Sequence, residues 1–289
     1  MLIAPALIIL SFSSRLAKAS PDFAVKVTGH GPSVILIPGL MCGGGVWDST
    51  VEHLKDRYTC YVLTLPGFAG QPPIKAPILS KMRDEIESYV VDNKLAQPIL
   101  IGHSLGGTLA LWLASDQPTM FSAVVSLDGV PALAALFNPN QAPTSALDAA
   151  SAIKARYASL DAARFAAANA SSLPLLITDP KNVEKVAVEA NRSDPASVGE
   201  AIAEMLQTDL RAEVVKITEP LLVFIPAGAL TSDSALDALK ARYEAQFHDA
   251  PEHKLALVPK ARHFVMLDAP DLFFSQLDEF LARIVRRRG

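Results

Sequence analysis

Cysteine is scarce in this chain, with Cys42 and Cys60 the two present in 289 residues. A single disulfide is the most they could form, and no second Cys or His stands at metal-site spacing from either. No apolar run reaches the ~20 residues a membrane-spanning helix needs. An excess of positive charge is missing too: 26 Lys and Arg face 30 Asp and Glu, for a formal net charge of −4. The one basic block, Arg286-Arg287-Arg288, reads as a tail or helix end, so nucleic-acid binding is excluded as a main role. Internal repeats are absent, and the alanine enrichment from Ala132 to Ala170 is the nearest approach to low complexity.

What the chain has is size and apolar content. Half of its residues are hydrophobic, enough for one large α/β domain carrying an insertion. The first residues stand apart. Leu2 to Phe12 is apolar and is followed by Ala17-Lys18-Ala19, an Ala-x-Ala pattern. That combination predicts a secretory signal peptide cleaved after Ala19, hence a secreted or periplasmic protein. The rival reading is an N-terminal element of a cytoplasmic domain.

From Phe23 onward, buried-strand patterns alternate with amphipathic helices. Strands are expected at Phe23–Thr28, Ser33–Ile37, Tyr58–Leu65, the run ending at His103, and Phe121–Leu127. Helices are expected near Val46–Asp56, Lys81–Asn93 and after Leu105. Such alternation is the signature of a mostly parallel, doubly wound sheet with helices on both faces. Cys42 then falls just past one strand and Cys60 near the start of the next. In parallel neighbours these are opposite sheet edges, and a strand rising ~3.3 Å per residue separates them beyond the ~7 Å a bridge allows. Two free thiols are expected.

Between Ala132 and about Ala203 the strand pattern stops. Helical stretches at Ala146–Ala170, Asn182–Asn191 and Ala196–Leu206 are separated by Pro143, Pro174, Pro180 and Pro195. A helical cap insertion over residues 132–207 is expected, within a core formed by 20–131 and 208–289. Sheet logic resumes at Leu221–Ile225, a helix near Ser234–Phe247, a strand at Lys254–Val258 and a final helix from Pro270 to about Val285.

The stretch that carries chemistry is Ile99-Leu100-Ile101-Gly102-His103-Ser104-Leu105-Gly106-Gly107. An apolar strand ends in Gly-x-Ser-x-Gly and a helical pattern starts at once, placing the serine on a sharp turn at a strand's carboxyl end. Serine needs a base to take its proton. Of the six histidines, His30 lies in a turn, His53 on the expected solvent face of the first helix, and His248 and His253 flank a polar loop. His103 sits inside the turn itself. His263 follows the last strand and precedes the last helix, in His263-Phe264-Val265-Met266-Leu267-Asp268.

These two stretches resemble the nucleophile elbow and histidine loop of the α/β-hydrolase superfamily, and the resemblance covers nearly the whole chain apart from the cap. It implies Ser104 as nucleophile and His263 as base. Pro38-Gly39-Leu40-Met41 resembles the family's oxyanion loop, so the backbone N–H groups of Leu40 and Leu105 are the expected oxyanion donors, with Met41 second to Leu40. The glycines Gly43 to Gly45 let that loop approach a substrate, and no Gly-Lys-Ser/Thr follows to make it a phosphate loop.

The acid is the open assignment. The family's commoner place is the loop after Leu221–Ile225, where Asp233 stands later than the usual pattern has it and also where a helix begins. The alternative place is the end of the strand after the elbow helix, where Asp128 precedes Gly129. Asp128 is preferred and Asp233 kept. The resemblance thus implies a serine hydrolase of a small, largely apolar carboxylic ester or lactone, without metal or organic cofactor. The same residues serve carbon–carbon bond hydrolases, thioesterases and perhydrolases, or a non-catalytic ligand-binding protein. Leu133, Leu136, Phe137, Tyr157, Phe165 and Met205 are candidates to line the pocket.

Overall fold

In a computed structural model that describes residues 21–137 and 143–288, the strands form one seven-stranded sheet. The expected signal segment lies outside the described residues. In chain order come β1 (Ala24–Gly29), β2 (Ser33–Ile37), a 3₁₀ turn (Gly44–Trp47), α1 (Asp48–Leu54), β3 (Thr59–Thr64) and α2 (Ile78–Asp92). Next are β4 (Ile99–His103), α3 (Leu105–Asp116), β5 (Ala123–Leu127) and five helices: α4 (Leu133–Phe137), α5 (Pro143–Ala158), α6 (Ala162–Leu176), α7 (Pro180–Ala190) and α8 (Pro195–Gln207). The chain closes with β6 (Leu221–Pro226), α9 (Asp233–Phe247), β7 (His253–Val258), α10 (Val265–Asp268) and α11 (Pro270–Arg288).

The strand order is β1-β3-β2-β4-β5-β6-β7, with β1 antiparallel to β3 and every other pair parallel. Alternation within each strand sorts the core into two layers. Ile35, Ile37, Leu100 and Val223 pack with Met82 and Ile86 of α2, Leu109 of α3 and Phe247 of α9. Val34, Leu36, Ile101 and Phe224 pack on the other face with Leu54 of α1 and Phe273 and Leu277 of α11. Each such fully buried side chain contributes about 1.5–3 kcal/mol through removal from water.

Chain order reverses between β2 and β4, which are neighbours in the sheet. A crevice therefore opens at their carboxyl ends. The segments after β2, β4, β5 and β7 begin at that same edge, and these carry Leu40, Ser104, Asp128 and His263. Cys60 pairs with Val34 at the start of β2 whereas Cys42 lies beyond its end, and both thiols are buried and free.

Most element boundaries move by one to three residues, and three differences have a visible cause. The single helix expected from Ala146 to Ala170 is two: α5 stops at Ala158, and Asp161 caps the next by accepting from the Arg164 N–H at 2.8 Å. Pro174, expected as a separator, lies inside the last turn of α6. Its position there is stabilised by Arg262, whose guanidinium donates to the carbonyls of Pro174 and, at 3.1 Å, Ile177. Helix α2 starts three residues before Lys81, because Glu204 of α8 accepts from the N–H groups of Ile78 and Leu79 at 2.6 and 2.7 Å. A long-range carboxylate caps a helix whose own Pro77 offers no cap.

Candidate active site

Ser104 joins β4 to α3 with φ 54° and ψ −119°, a conformation a residue with a Cβ adopts only under constraint. The constraint is visible on both sides. The Ser104 N–H donates to the Leu127 carbonyl at 2.8 Å, extending the sheet, and its own carbonyl accepts from the Thr108 N–H at 3.0 Å, opening the helix. The turn is tight enough that a Cβ on Gly106 would come within 2.6 Å of the Pro38 carbonyl oxygen. Small residues around the serine follow from that packing. The Leu105 N–H, first in α3, has no intrahelical partner.

His263 follows β7, and its Nδ1 lies 2.5 Å from Asp128 Oδ2. An ionised carboxylate is acceptor only, so Nδ1 carries the hydrogen and Nε2 is left with its lone pair. Asp128, at φ 51°, closes β5, and its N–H donates to the Phe224 carbonyl at 3.1 Å. Its other oxygen, Oδ1, accepts from the Tyr243 hydroxyl. Tyr243 is 3% exposed, and burial followed by the Asp128 charge pushes its phenol well above its ordinary pKa. The hydroxyl therefore keeps its proton and donates it to the carboxylate.

Asp233 is placed elsewhere. It is exposed in the first turn of α9, beside the Ser232 cap, and no hydrogen bond or ion pair joins it to His263. Its neighbourhood is that of a helix N-terminal carboxylate.

His103 lies beneath the pair. Its Nε2 donates to the His263 backbone carbonyl at 3.1 Å, and its ring stands 4.7 Å from the His263 ring and 4.5 Å from Phe264. Burial first, then the neighbouring His263, holds its pKa well below the usual imidazole range, so it is neutral. Its Nδ1 has no hydrogen-bond partner among the described residues and faces Gly39, where a Cβ would stand 2.8 Å away. Only glycine fits between this ring and Ser104.

The loop bearing Leu40 is pinned by the helical insertion. Gly43 N–H donates to Glu189 Oε2 of α7 at 2.9 Å, and the Ser193 hydroxyl donates to the Met41 carbonyl at 3.3 Å while accepting from the Ala69 N–H at 3.0 Å. Met41 itself is held at φ 63°.

Leu40, Ser104, Asp128, Tyr243 and His263 line one cavity of about 440 Å³. Val130, Leu133, Leu136, Ile202, Met205 and Leu239 make its walls mainly apolar, and Arg242 stands at its rim. Of the expected lining residues, Leu133, Leu136 and Met205 are there, whereas Tyr157 and Phe165 pack edge to face on each other, 6.3 Å between centroids. The Phe137 side chain is outside the described residues. His53, expected in solvent, is half-buried: it stacks on Phe274 at 4.3 Å, with Nε2 3.0 Å from Asp278.

Tyr243, Arg242 and Ile202 carry no motif and were not legible as site residues. The faint signal for Tyr243 is its place four residues before Phe247, on the core face of α9. Among the described residues no group of His, Cys, Asp and Glu could hold a metal ion, and no helix is long and apolar enough to cross a membrane.

The sequence matches the Alpha/beta hydrolase family over residues 34–276. It is 24% identical over 266 residues to the pimeloyl-[acyl-carrier protein] methyl ester esterase of Vibrio vulnificus (strain YJ016), covering 91% of this chain and 100% of that one. It is 26% identical over 258 residues to the protein of the same name from Vibrio cholerae serotype O1, covering 89% and 97%. Among solved structures, the enol-lactonase from Burkholderia xenovorans LB400 superimposes with a TM-score of 0.75 at 16% identity, covering 90% of this chain and 96% of that one.

Proposed function

The chain belongs to the alpha/beta hydrolase family, and from that premise we propose that it is a serine hydrolase of carboxylic esters or lactones. The observation that carries this reading is the convergence of a strained Ser104 and a hydrogen-bonded Asp128–His263 pair on one apolar cavity. Ser104 Oγ attacks the substrate carbonyl while its proton passes to His263 Nε2. The carbonyl oxygen, now negative, is held by the N–H groups of Leu40 and Leu105. The ester C–O bond breaks and the alcohol oxygen takes the proton from His263. Water then attacks the acyl-enzyme, giving its proton to His263, and the acid leaves as the serine regains its hydrogen. Asp128 keeps the imidazole in the tautomer this sequence needs and stabilises its charged form.

The relatives named as methyl ester esterases support an ester substrate for this chain. In this reading the helices of residues 132–207 act as the cap that shapes the cavity, and residues 1–19 are a secretory signal, which N-terminal sequencing of the mature protein checks. The function is tested by following acid release from methyl hexanoate with the whole protein. Ser104→Ala is expected to lose at least about a thousandfold in kcat. Undiminished turnover by that variant would sink the reading.

A further inference from the structure

Ser104, His263 and Leu40 are walls of two cavities, not one. Beside the 440 Å³ cavity lies a second of about 100 Å³, lined in part by the same three residues. Cys42, Leu173, Val186, Ala190 and Phe264 line it, each at most 3% exposed, together with the half-buried Met41 and Leu176. Leu173 belongs to α6, and Val186 and Ala190 to α7, so the helical insertion closes this chamber from outside.

We infer that the small chamber receives the alcohol half of the ester, and that the preferred substrates are esters of short, unbranched alcohols whose acyl chain fills the large cavity. The inference rests on the ester-hydrolase reading and names the substrate class of that same site. A carbonyl carbon bonded to Ser104, with its oxygen toward Leu40 and Leu105, has two substituents left. They must point to different sides, and the two cavities are the spaces available there. The small one has room for an alkoxy group of roughly one to three carbons, taking each carbon as about as bulky as a water at ~30 Å³. Its walls are core side chains packed from behind, so the size limit is firm.

Charge bears on how the two products leave. Hydrolysis makes a neutral alcohol and an anionic acid. The small chamber holds no charged side chain: its thiol, Cys42, stays protonated because burial and then Glu189 push its pKa far up. The large cavity carries Arg242, and no hydrogen bond or ion pair joins it to a described residue. The departing acid therefore finds a countercharge on the large-cavity side, and the relatives named as methyl ester esterases release a one-carbon alcohol, which fits the small chamber. Once a short alcohol has left, water enters the vacated chamber next to the His263 ring, from the side the leaving oxygen occupied. The acyl chain meanwhile keeps bulk solvent out of the large cavity.

The test uses two ester series with acid release as readout. With hexanoate fixed and the alcohol lengthened from methyl through ethyl, butyl and hexyl, kcat/KM should fall at least about tenfold between ethyl and butyl. With methanol fixed and the acid lengthened from butanoate to octanoate, it should change less than about threefold. Leu173→Ala and Val186→Ala should each raise the butyl-to-methyl ratio at least about fivefold; two variants guard against one failing to fold. A cutoff on the acid side that these variants relax would reverse the assignment. An alcohol cutoff that neither folded variant moves would show that this chamber is not its origin. A wild type inert toward every ester, or a Ser104→Ala as active as wild type, would instead overturn the hydrolase reading beneath.

Discussion

At the scale of single residues, the site depends on three unusual environments. Ser104 is held at positive φ by the sheet bond to Leu127 and the helix bond from Thr108. Glycine carries no penalty there, so Ser104→Gly should stabilise the fold by about 1 kcal/mol while abolishing turnover. A thermal melt checks this, with a rise of about 2 °C expected. Asp128 and Asp233 can be separated the same way. Asp128→Asn lets an amide N–H donate to His263 Nδ1 and hold the imidazole in the wrong tautomer, and kcat should drop about 10³- to 10⁴-fold. Asp233→Asn removes only a helix N-terminal charge and should leave kcat within about twofold. In the proposed mechanism Tyr243 acts through Asp128, as a positioning residue. Tyr243→Phe keeps the buried ring but removes one donor from the carboxylate, and kcat/KM should fall about tenfold. The loss should fall on kcat with KM nearly unchanged, a split that loosened packing of the cavity wall alone would not give.

At the scale of elements, β4–α3 was readable because its signals are local: an apolar run, small residues and a helical pattern within a dozen positions. The strand boundaries were readable for the same reason, Ser33–Ile37 among them. The helices between β5 and β6 were less so. Alanine suits a helix at every position, so the break at Asp161 was masked by its surroundings, and Pro174 looked like a stop because Arg262 lies 88 residues away in sequence. The start of α2 was hidden similarly, since its cap comes from Glu204. Asp194 ties α8 to the loop after β3. Its carboxylate accepts from the Ser197 N–H at 2.8 Å and the Ser197 hydroxyl at 2.6 Å, while its own N–H donates to the Gly67 carbonyl at 2.8 Å. Asp194→Ala should lower stability by about 1–2 kcal/mol, measured by thermal melting, with amide exchange accelerated first in α8.

At the scale of the whole molecule, topology rather than motif assembles the site. Ser104, Asp128, His263 and Leu40 come from four segments that a parallel sheet delivers to one edge. The sequence revealed that edge because strand and helix alternate; it could not reveal Tyr243, Arg242 or the two chambers, which depend on how α9, α6 and α7 pack from a distance. Stability carries its own signature of burial. Glu219 is 5% exposed, with Oε1 accepting from the Thr119 N–H at 2.6 Å, and desolvation raises its pKa. A carboxyl bound to its proton more tightly when folded stabilises the fold at low pH, and that contribution is lost as pH rises past the unfolded value and through the raised one. Glu219→Gln should therefore melt higher than wild type at neutral pH, with the gain vanishing in acid.

The most direct test of the central claim is a rapid-quench experiment on the intact protein. Methyl hexanoate is mixed with enzyme, quenched within one turnover, and the digest is mapped by mass. A hexanoyl group on the peptide carrying Ser104, decaying no more slowly than turnover, is the predicted result. Turnover that proceeds with Ser104 never acylated, or with the acyl group on another residue, would contradict it.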